Sequence, residues 1–487
     1  MEPVFRESYV NIPFRDQFGI QAHKEFTENN KDCGSEVSLS GVYLSSSGIH
    51  LKIRGRVDSL CEDGSRSIIT ELKTVVLPSG SLAGLSDDSI SGFGLQVSLY
   101  AYLLDNINRE LDQEKEASVE CQLKVINLSD GESKIWDIDW NKIDIENRLE
   151  QYLDLIEKRM FIAASDTLRR KNIGKKLSWH EEEFRDGQLE MINDITAIFE
   201  QDQNLLWQAP TGYGKTSVVL HAALKQGLSK GGRIFYATAK GTGSNPVRDC
   251  VRKIHCQCPD LKVVFLSARE NLCECAPKDY TNGQCKKQAN SNYPIGDDIL
   301  SELFKTNLIN RTEIVNAAEA NELCPHDLQK VLIERSDLVV GDYNFIYDPQ
   351  ARLSIFREPE YKDWTLLIDE AHNLIPRGQS IYSGRISLIE MNECLKLLLE
   401  DQWRFTENNN YAEIVRQLKK LQEAVEMFLS NVEDNKIAPI SHSEGVWSEL
   451  AIEFGYSLGR LLLMTGDKLD GELQDMLQNL NSNLQYI

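Results

Sequence analysis

The chain has 487 residues, of which 41% are hydrophobic, and it carries a formal net charge of −22. This length and apolar content suffice for three or four packed units and exclude a disordered chain. The acidic balance excludes wholesale coating of nucleic acid, because non-specific affinity comes mainly from Lys and Arg that displace counterions from phosphates. Any contact with nucleic acid must therefore be a local groove.

No segment approaches the roughly 20 apolar residues needed to cross a bilayer, and the N-terminus MEPVFRESYV has neither a basic start nor an apolar stretch. We therefore expect a cytoplasmic protein that does not enter a membrane. Eleven cysteines, several in tight CxC pairs, favour a reducing compartment and metal or cluster ligation over a disulfide scaffold.

The N-terminal part alternates strand-like runs with one helical segment at 94–104. The runs rich in strand-forming residues are 48–57, 68–76, 122–128 and 134–138.

Polar residues on these strands form a candidate metal site. Asp58 follows the strand 51–57, and Glu71 and Lys73 share one face of the next strand because side chains alternate. Two carboxylates and a lysine can bind Mg²⁺ or Mn²⁺, activate water and stabilise the charge that develops in phosphodiester hydrolysis. The alternative is an ion pair between Asp58 and Lys73 on an ordinary sheet face.

Two further pairs extend this motif. Gly19 and His23 begin a helical segment upstream, and Gln96 and Tyr100 lie one turn apart on the downstream helix. Together these residues resemble the PD-(D/E)xK nucleases of the RecB type over roughly residues 15–165.

The nuclease resemblance implies a role for each residue. His23, Asp58 and Glu71 would hold the metal, and Lys73 would assist catalysis. The Gln-x-x-x-Tyr pair would support DNA or the active site. In the alternative interpretation, His23 is an ordinary helix residue.

Helical spacing of Leu149, Leu153, Ile156 and Met160 predicts a closing helix over 145–168.

A basic stretch follows the predicted closing helix, with the sequence RRK at 169–171 and KK at 175–176. We expect a linker there, and the sequence leaves open whether it is solvated or contacts phosphate.

A new α/β unit is predicted from residue 179, with strands that recur between helices at 204–208, 233–237, 338–340 and 365–368. Such alternation is typical of a parallel sheet covered on both faces.

A glycine-rich turn is predicted between the strand 204–208 and the apolar helix 217–223. Its backbone N–H groups and the helix N-terminus can cradle phosphate. Lys215 is expected to reach the outer phosphates of ATP, and Thr216 to bind Mg²⁺. Ala209 departs from the general pattern, which begins with glycine. The segment is Ala209-Pro210-Thr211-Gly212-Tyr213-Gly214-Lys215-Thr216.

The sequence Asp-Glu-Ala-His follows the apolar strand 366–368. Asp369 is expected to hold Mg²⁺ through water, and Glu370 to polarise the attacking water. Both motifs in this order predict an ATP-binding site.

Seven of the eleven cysteines lie between the two ATP motifs, and their uneven spacing favours an iron–sulfur cluster over zinc. They are Cys250, Cys256, Cys258, Cys273, Cys275, Cys285 and Cys324. The remaining four are expected to be small buried residues, because none has a partner at ligand spacing. They are Cys33, Cys61, Cys121 and Cys394.

The order of motifs around these cysteines resembles the XPD/DinG iron–sulfur helicases of superfamily 2. The segments SARENLC at 267–273 and SDLVVGDYNF at 336–345 carry the resemblance together with Cys285 and Cys324-Pro325. It implies a 4Fe–4S cluster between the motor motifs and a helical arch after them.

The same resemblance implies the ligands of the cluster and the residues that recognise adenine. Arg185 and Gln188 would recognise adenine. The cluster ligands would be Cys273, Cys275, Cys285 and Cys324. Cys256 or Cys258 is the alternative to Cys275.

After Pro376 the pattern is helical, with Leu388, Met391, Leu395 and Leu399 on one face. The predicted fold class is α/β with six segments. They are a nuclease-like domain at 1–168, a basic linker at 169–178, a RecA-like motor domain at 179–247 and 335–376, an iron–sulfur domain at 248–334 and a partial helical arch at 377–487.

We therefore expect an ATP-dependent DNA helicase fused to a metal-dependent nuclease that acts in DNA repair or processing on single-stranded or forked DNA. The motifs of a second motor domain do not follow His372. We expect a fragment, or the front part of a split enzyme whose second motor domain is a separate chain, that binds nucleotide but turns it over poorly. The alternatives are a nucleotide-gated DNA-binding subunit and an ATP-regulated nuclease that does not translocate.

Overall fold

The structure is a computed structural model. It describes residues 12–63, 66–77, 79–111, 118–181, 183–201, 203–210, 212–239, 244–273, 295–349, 351–356, 363–401, 409–430, 446–465 and 469–486. The chain divides into two compact units, the first formed by residues up to Asp154 and from Tyr382 onward, and the second mainly by the residues between them. None of the helices in these ranges combines the length and apolarity that crossing a bilayer requires.

The described residues form sixteen α-helices and ten strands, and after Ile368 they form helices alone. In chain order they are α1 Arg15–Asn29, β1 Gly34–Leu44, β2 His50–Asp63, β3 Arg66–Val75, α2 Asp87–Leu111, β4 Ser118–Asn127, β5 Ser133–Asp137, α3 Lys142–Lys176, α4 Gln188–Gln201, α5 Lys215–Ser229, β6 Arg233–Thr238, α6 Ser244–Gln257, β7 Val263–Phe265, α7 Arg269–Leu272, α8 Asp297–Leu303, β8 Leu308–Ile309, α9 Arg311–Ala320, α10 Pro325–Arg335, β9 Leu338–Asp342, α11 Asn344–Tyr347, β10 Trp364–Ile368, α12 Leu374–Ile381, α13 Leu388–Asp401, α14 Asn409–Ser430, α15 Val446–Thr465 and α16 Gly471–Leu484.

The first unit contains a five-stranded sheet in the order β1-β2-β3-β4-β5. Only β3 and β4 run parallel, and α2 connects them, as a parallel pair requires a crossover. The four strands and the helix predicted here are present. The additional strand β1 was missed because Ser and Gly have low strand propensity, although its Leu39 and Tyr43 are buried in alternation.

A disulfide joins Cys33 to Cys61 in the first unit. The expectation that both were small buried cysteines was wrong. Gly34 lies opposite Leu60 in the antiparallel register of β1 and β2, so Cys33 and Cys61 follow as the next cross-strand pair, with Cα atoms 4.5 Å apart. Cys121 and Cys394 are buried, as predicted.

The last four helices, α13 to α16, share a hydrophobic core with α1 in the first unit. The rings of Phe18 and Tyr456 have centroids 4.9 Å apart. Met391 is buried as the helical pattern predicted, but Leu399 is 46% exposed. Leu398 occupies the buried position instead, because the buried stripe of α13 follows positions 391, 394 and 398.

The second unit contains a five-stranded, entirely parallel sheet in the order β10-β6-β9-β7-β8. The predicted parallel α/β architecture is confirmed. The strands β7 and β8 fall within 248–334, which was predicted as a separate iron–sulfur domain. That boundary was wrong, because at least Val263–Phe265 and Leu308–Ile309 pair in the motor sheet.

The strand predicted at 204–208 is not formed in the structure. The segment 203–210 has no strand pairing, and Leu206 is 89% exposed. A strand needs a hydrogen-bonded neighbour. Within the described sheet β10 pairs with β6 alone and forms an edge, so the apolar run at 204–208 remains an extended connection.

The basic linker predicted at 169–178 is the end of helix α3, which continues without a break to Lys176. Arg170 is only 5% exposed, and Arg169 makes two hydrogen bonds to the fully buried carboxylate of Asp337, at 2.6 and 2.8 Å. Both interpretations of these two arginines, solvated linker and phosphate contact, were wrong. The two guanidinium groups lie inside the second unit, where their positive charge compensates the buried carboxylate of Asp337.

Replacing Arg169 with alanine is expected to lower the free energy of unfolding by about 3 kcal/mol, because it leaves the buried Asp337 without its bidentate partner. Arg252 provides a control, since it pairs with Asp249 at 3.2 Å but the side chains are 69% and 72% exposed. Arg252→Ala is expected to change the same quantity by less than about 0.5 kcal/mol. Urea unfolding measures both, and equal effects would contradict a buried role for Arg169.

Candidate functional site

The predicted phosphate-binding turn leads directly into helix α5, which begins at Lys215. Gly212 and Gly214 have φ angles of 80° and 81°, in the left-handed region that side chains with a Cβ rarely adopt. A Cβ on Gly214 would lie 2.6 Å from the side-chain nitrogen of Gln188. The left-handed backbone and the nearby Gln188 side chain thus both favour glycine at position 214 of the turn.

Lys215 lies between the turn and the Asp-Glu-Ala-His segment. Its Nζ donates a hydrogen bond to the carbonyl of Ala209 at 3.2 Å and lies 3.8 Å from Oε1 of Glu370. Glu370 has a φ of 50°, a strained conformation for a non-glycine residue. The structure therefore brings the two predicted motifs of the ATP site together.

Asp369 and Thr216, the predicted magnesium residues, both hydrogen-bond to Tyr236 on β6. Burial raises the pKa of Asp369, and burial likewise raises that of Tyr236. The sequence analysis missed Tyr236. A tyrosine in an otherwise apolar buried strand was the feature that pointed to it, since a buried hydroxyl requires a polar partner.

Arg185 and Gln188, predicted to recognise adenine, hold the phosphate-binding turn. Arg185 Nη1 donates to the carbonyl of Gly212 at 2.8 Å, and Gln188 Nε2 donates to that of Tyr213 at 2.9 Å. The backbone N–H of Arg185 donates to Gln188 Oε1 at 2.9 Å. Pro210 precedes the turn, and Thr211 lies outside the described residues.

The residues present fit Mg²⁺ and ATP. Gly212 has open space where a Cβ would stand, Lys215 supplies a cation, and Thr216 and Asp369 supply the oxygen ligands that Mg²⁺ prefers. Glu370 is the carboxylate beside them.

Aromatic and histidine side chains pack together at helix α5. The rings of Trp179 and His221 meet edge to face with centroids 5.2 Å apart, and Cys250 Sγ lies 3.3 Å from His180 Nε2. Burial lowers the pKa of His221 from 6.5 to about 4. The imidazole of His221 is therefore neutral at neutral pH.

Acidification is expected to destabilise the second unit through His221. Below pH 6.5 the unfolded chain binds a proton at this imidazole that the folded chain does not bind until about pH 4. Stability is therefore lost as the pH falls, by about 2 kcal/mol between pH 7 and pH 5. Urea unfolding of a His221→Gln variant should show a flatter pH dependence than the wild type. His372→Gln, at a side chain 73% exposed, is the control for loss of an imidazole, and an equal flattening there would contradict the role of His221.

The candidate nuclease residues meet in the first unit. His23 Nδ1 lies 3.6 Å from Asp58 Oδ1, and Asp58 Oδ2 accepts a hydrogen bond from the backbone N–H of Leu72 at 2.7 Å. The neighbouring Asp58 carboxylate raises the pKa of His23. Burial acts to raise the pKa of Asp58, but the adjacent His23 and the hydrogen bond from Leu72 N–H hold it below its usual range.

Glu71 is connected to the remaining predicted residues. Its Oε1 accepts hydrogen bonds from Lys73 Nζ at 2.7 Å and from Gln96 Nε2 at 2.9 Å, and Gln96 Nε2 also donates to the hydroxyl of Tyr100 at 2.8 Å. Burial raises the pKa of Glu71. All six polar residues predicted for the nuclease thus belong to two adjoining sets, His23 with Asp58 and Glu71 with Lys73, Gln96 and Tyr100.

A cavity of about 820 Å³ opens at this site, lined by Gly19, His23 and Asp58 among others. Among the residues that the structure describes, no group of three or more metal-binding side chains is arranged around a common point. Glu71 Oε2 is nevertheless buried without a hydrogen-bond partner in those ranges. An unpaired buried carboxylate oxygen fits a divalent cation, because the cation would replace the lost hydration.

Only two of the four predicted cluster ligands lie in the described residues. Cys273 ends α7, and Cys324 precedes α10, two helices in contact with each other. Burial raises the pKa of Cys324 to about 11. Cys275 and Cys285 lie outside the described residues.

The segment before Cys273 is fixed to α10 by a buried side chain. Gln329, only 2% exposed, accepts from the backbone N–H of Ser267 at 2.9 Å and donates to its carbonyl at 3.1 Å. The two described thiols thus belong to elements that are held together, which is compatible with a shared cluster.

The alternative ligands Cys256 and Cys258 flank the end of α6. Cys258 packs in the core of the second unit with Leu261 and Val263, whereas Cys256 is exposed. The buried thiol is thus accounted for by packing.

Residues 248–391 match the DEAD_2 family model. The chain is similar to the ATP-dependent DNA helicase CHL1 of Scheffersomyces stipitis, with 26% identity over 172 residues, which are 35% of this chain and 19% of that protein. It is also similar to CHL1 of Kluyveromyces lactis, with 28% identity over 188 residues, which are 35% of this chain and 23% of that protein. The aligned parts span about a fifth of the length of these curated relatives.

Two solved structures show a weaker likeness. An XPD helicase matches with a TM-score of 0.40 and 16% identity, covering 63% of this chain and 52% of the other. A truncated XPD matches with a TM-score of 0.37 and 17% identity, covering 61% of this chain and 80% of the other. The similarity to known proteins therefore rests on the DEAD_2 segment and on about a third of the chain that resembles DNA helicases.

Proposed function

We propose that the chain is the nucleotide-binding part of an iron–sulfur DNA helicase of superfamily 2, of the XPD/DinG kind, joined to a metal-dependent nuclease and acting in DNA repair or processing. The observation that carries the helicase proposal is the glycine turn at the start of α5, with Lys215 Nζ 3.8 Å from Glu370 Oε1. The match to DEAD_2 over 248–391 and the similarity to CHL1 helicases support it.

In this proposal the ATP site acts mainly by placing positive charge and N–H donors around the phosphates of ATP. The N–H groups that begin α5 and the cation of Lys215 would bind the phosphates, and Glu370 would orient the attacking water. Thr216 and Asp369 would hold Mg²⁺, which when bound neutralises charge on the phosphates. Arg185 and Gln188 keep the turn in shape through its carbonyls.

DNA, single-stranded or forked, is the proposed partner, and a separate chain that supplies a second motor domain is a further one. ATP hydrolysis measured with and without single-stranded DNA tests the proposal, and stimulation by DNA is expected. Hydrolysis that DNA does not stimulate, even after the second motor domain is added, would leave the alternative of a nucleotide-gated DNA-binding subunit.

The proposed 4Fe–4S cluster has its own test. Protein purified without oxygen should contain iron and inorganic sulfide. Stoichiometric zinc in their place would assign the cysteines to a structural zinc site.

A nuclease that ATP regulates without translocation is the second candidate function, and the two adjoining sets of polar residues favour it. His23, Asp58 and Glu71 would hold Mg²⁺ or Mn²⁺, which when bound activates water for phosphodiester hydrolysis, and Lys73 would stabilise the developing charge. Cleavage of DNA in Mn²⁺ that stops when the metal is chelated is the expected result. DNA that stays intact in Mn²⁺ would contradict it.

A further inference from the structure

Three basic side chains form a row on the outer face of the β1–β2 hairpin. Lys52, Arg54 and Arg56 are exposed and occupy alternate positions of β2. Alternate residues of a strand share one face and are spaced about 6.6–6.8 Å apart. Asp58 is the next residue on this face, and Arg56 and Asp58 both line the cavity that contains His23. The basic row therefore leads to the candidate nuclease site.

Packing on the other face of β2 fixes this orientation. Ile53 and Val57 pack in the core of the first unit. Gly55 approaches the ring of Tyr100 so closely that a Cβ would overlap it. The odd-numbered residues thus face the core, and the even-numbered residues of the basic row face away from it.

Among the described residues, no opposite charge pairs with Lys52 or Arg54. Across the hairpin they lie opposite Val42 and Ser40, which carry no charge. In the ranges that the structure describes, neither basic side chain has an ion-pair or hydrogen-bond partner. Two uncompensated cations next to a candidate nuclease site are notable in a chain with a net charge of −22.

Arg56 differs from the other two members of the row, because it lies 3.4 Å from Glu36. Both side chains are 65% exposed. An exposed pair of this kind is worth about 0–1 kcal/mol, so a phosphate can replace the carboxylate at little cost.

We propose that the basic row binds the backbone of single-stranded DNA and guides the strand to the cavity at His23 and Asp58. A single line of cations along one strand matches one phosphate backbone, and Lys and Arg bind it by displacing counterions. The destination of the strand rests on the proposed nuclease function, whereas its binding is measurable without cleavage.

The test is fluorescence anisotropy of a short labelled single strand, in metal-free and nucleotide-free buffer, with the full chain carrying Lys52→Ala and Arg54→Ala. Each phosphate contact contributes about 0.7 to the slope of log affinity against log salt. Loss of two contacts should make the slope shallower by about 1.4 and lower the affinity roughly 25-fold at about 0.1 M salt. The charge-reversed Lys52→Glu and Arg54→Glu variant should lose more.

Arg385→Ala with Lys419→Ala is the matched control, because it removes one Arg and one Lys that are exposed in the same unit. Its affinity should equal that of the wild type. Equal affinities for the control and the row variant would overturn the proposal, as would a row variant that loses as much affinity for blunt duplex DNA as for the single strand. Cleavage in Mn²⁺ is assayed separately, so an inactive nuclease would leave the result for the row unchanged.

Discussion

Replacing Lys215 with alanine is expected to weaken binding of ATP with Mg²⁺ about 100-fold. Lys215 follows the left-handed Gly214, and its Nζ lies 3.8 Å from Oε1 of Glu370. Truncating one member of a desolvated charge pair generally costs about 2–5 kcal/mol, and 1.4 kcal/mol corresponds to a tenfold change in affinity. Isothermal titration of the chain with ATP measures the change.

Lys175→Ala is the matched control for Lys215, since Lys175 is an exposed lysine of the same unit at the end of α3. ATP affinity should be unchanged in this variant. Thermal unfolding of both variants checks that the fold is retained. If Lys215→Ala bound ATP as tightly as the control, the glycine turn would not be the phosphate site.

The sequence features of the candidate ATP site that the structure brings together are those for which chemistry dictates the residue type. A left-handed turn before a helix requires glycine, and Gly212 and Gly214 provide it. A candidate catalytic carboxylate after an apolar strand is equally recognisable, and Glu370 comes just after β10. Local sequence is enough for such features, because a few neighbouring residues determine them.

The features that the sequence did not predict depend on partners far along the chain. Arg169 resembles a linker residue until Asp337 is placed beside it, and the two are far apart in sequence. The disulfide of Cys33 and Cys61 follows from the register of β1 and β2, which composition does not specify. Tyr236 gains its role from the parallel pairing of β6 with β10.

The same limit explains the boundary errors in the motor sheet. The strands β7 and β8 are only three and two residues long, too short for an alternating pattern to be visible. The run at 204–208 has the opposite property, since it is apolar enough for a strand but lacks a hydrogen-bonded neighbour. Strand formation is decided by pairing, and pairing is not local.

If the proposed nuclease function is right, replacing Asp58 with asparagine is expected to reduce Mn²⁺-dependent DNA cleavage at least roughly 1,000-fold, because losing the charge of a proposed metal ligand would cost several kcal/mol of transition-state stabilisation. Asparagine keeps an oxygen that can accept the hydrogen bond from Leu72 N–H, now 2.7 Å long, so the fold should be retained where alanine would leave that donor unpaired.

Two comparisons make the Asp58 result specific to the nuclease site, with cleavage followed on a labelled single strand in Mn²⁺. Asp139→Asn removes an exposed carboxylate of the same unit and should cleave at the wild-type rate. Lys215→Ala should also retain cleavage, because the two adjoining sets that contain Asp58 and Glu71 lie entirely within the first unit. Cleavage that survives Asp58→Asn but is lost with Lys215→Ala would contradict a nuclease site at Asp58. It would instead indicate a cleavage activity that depends on the candidate nucleotide site at Lys215.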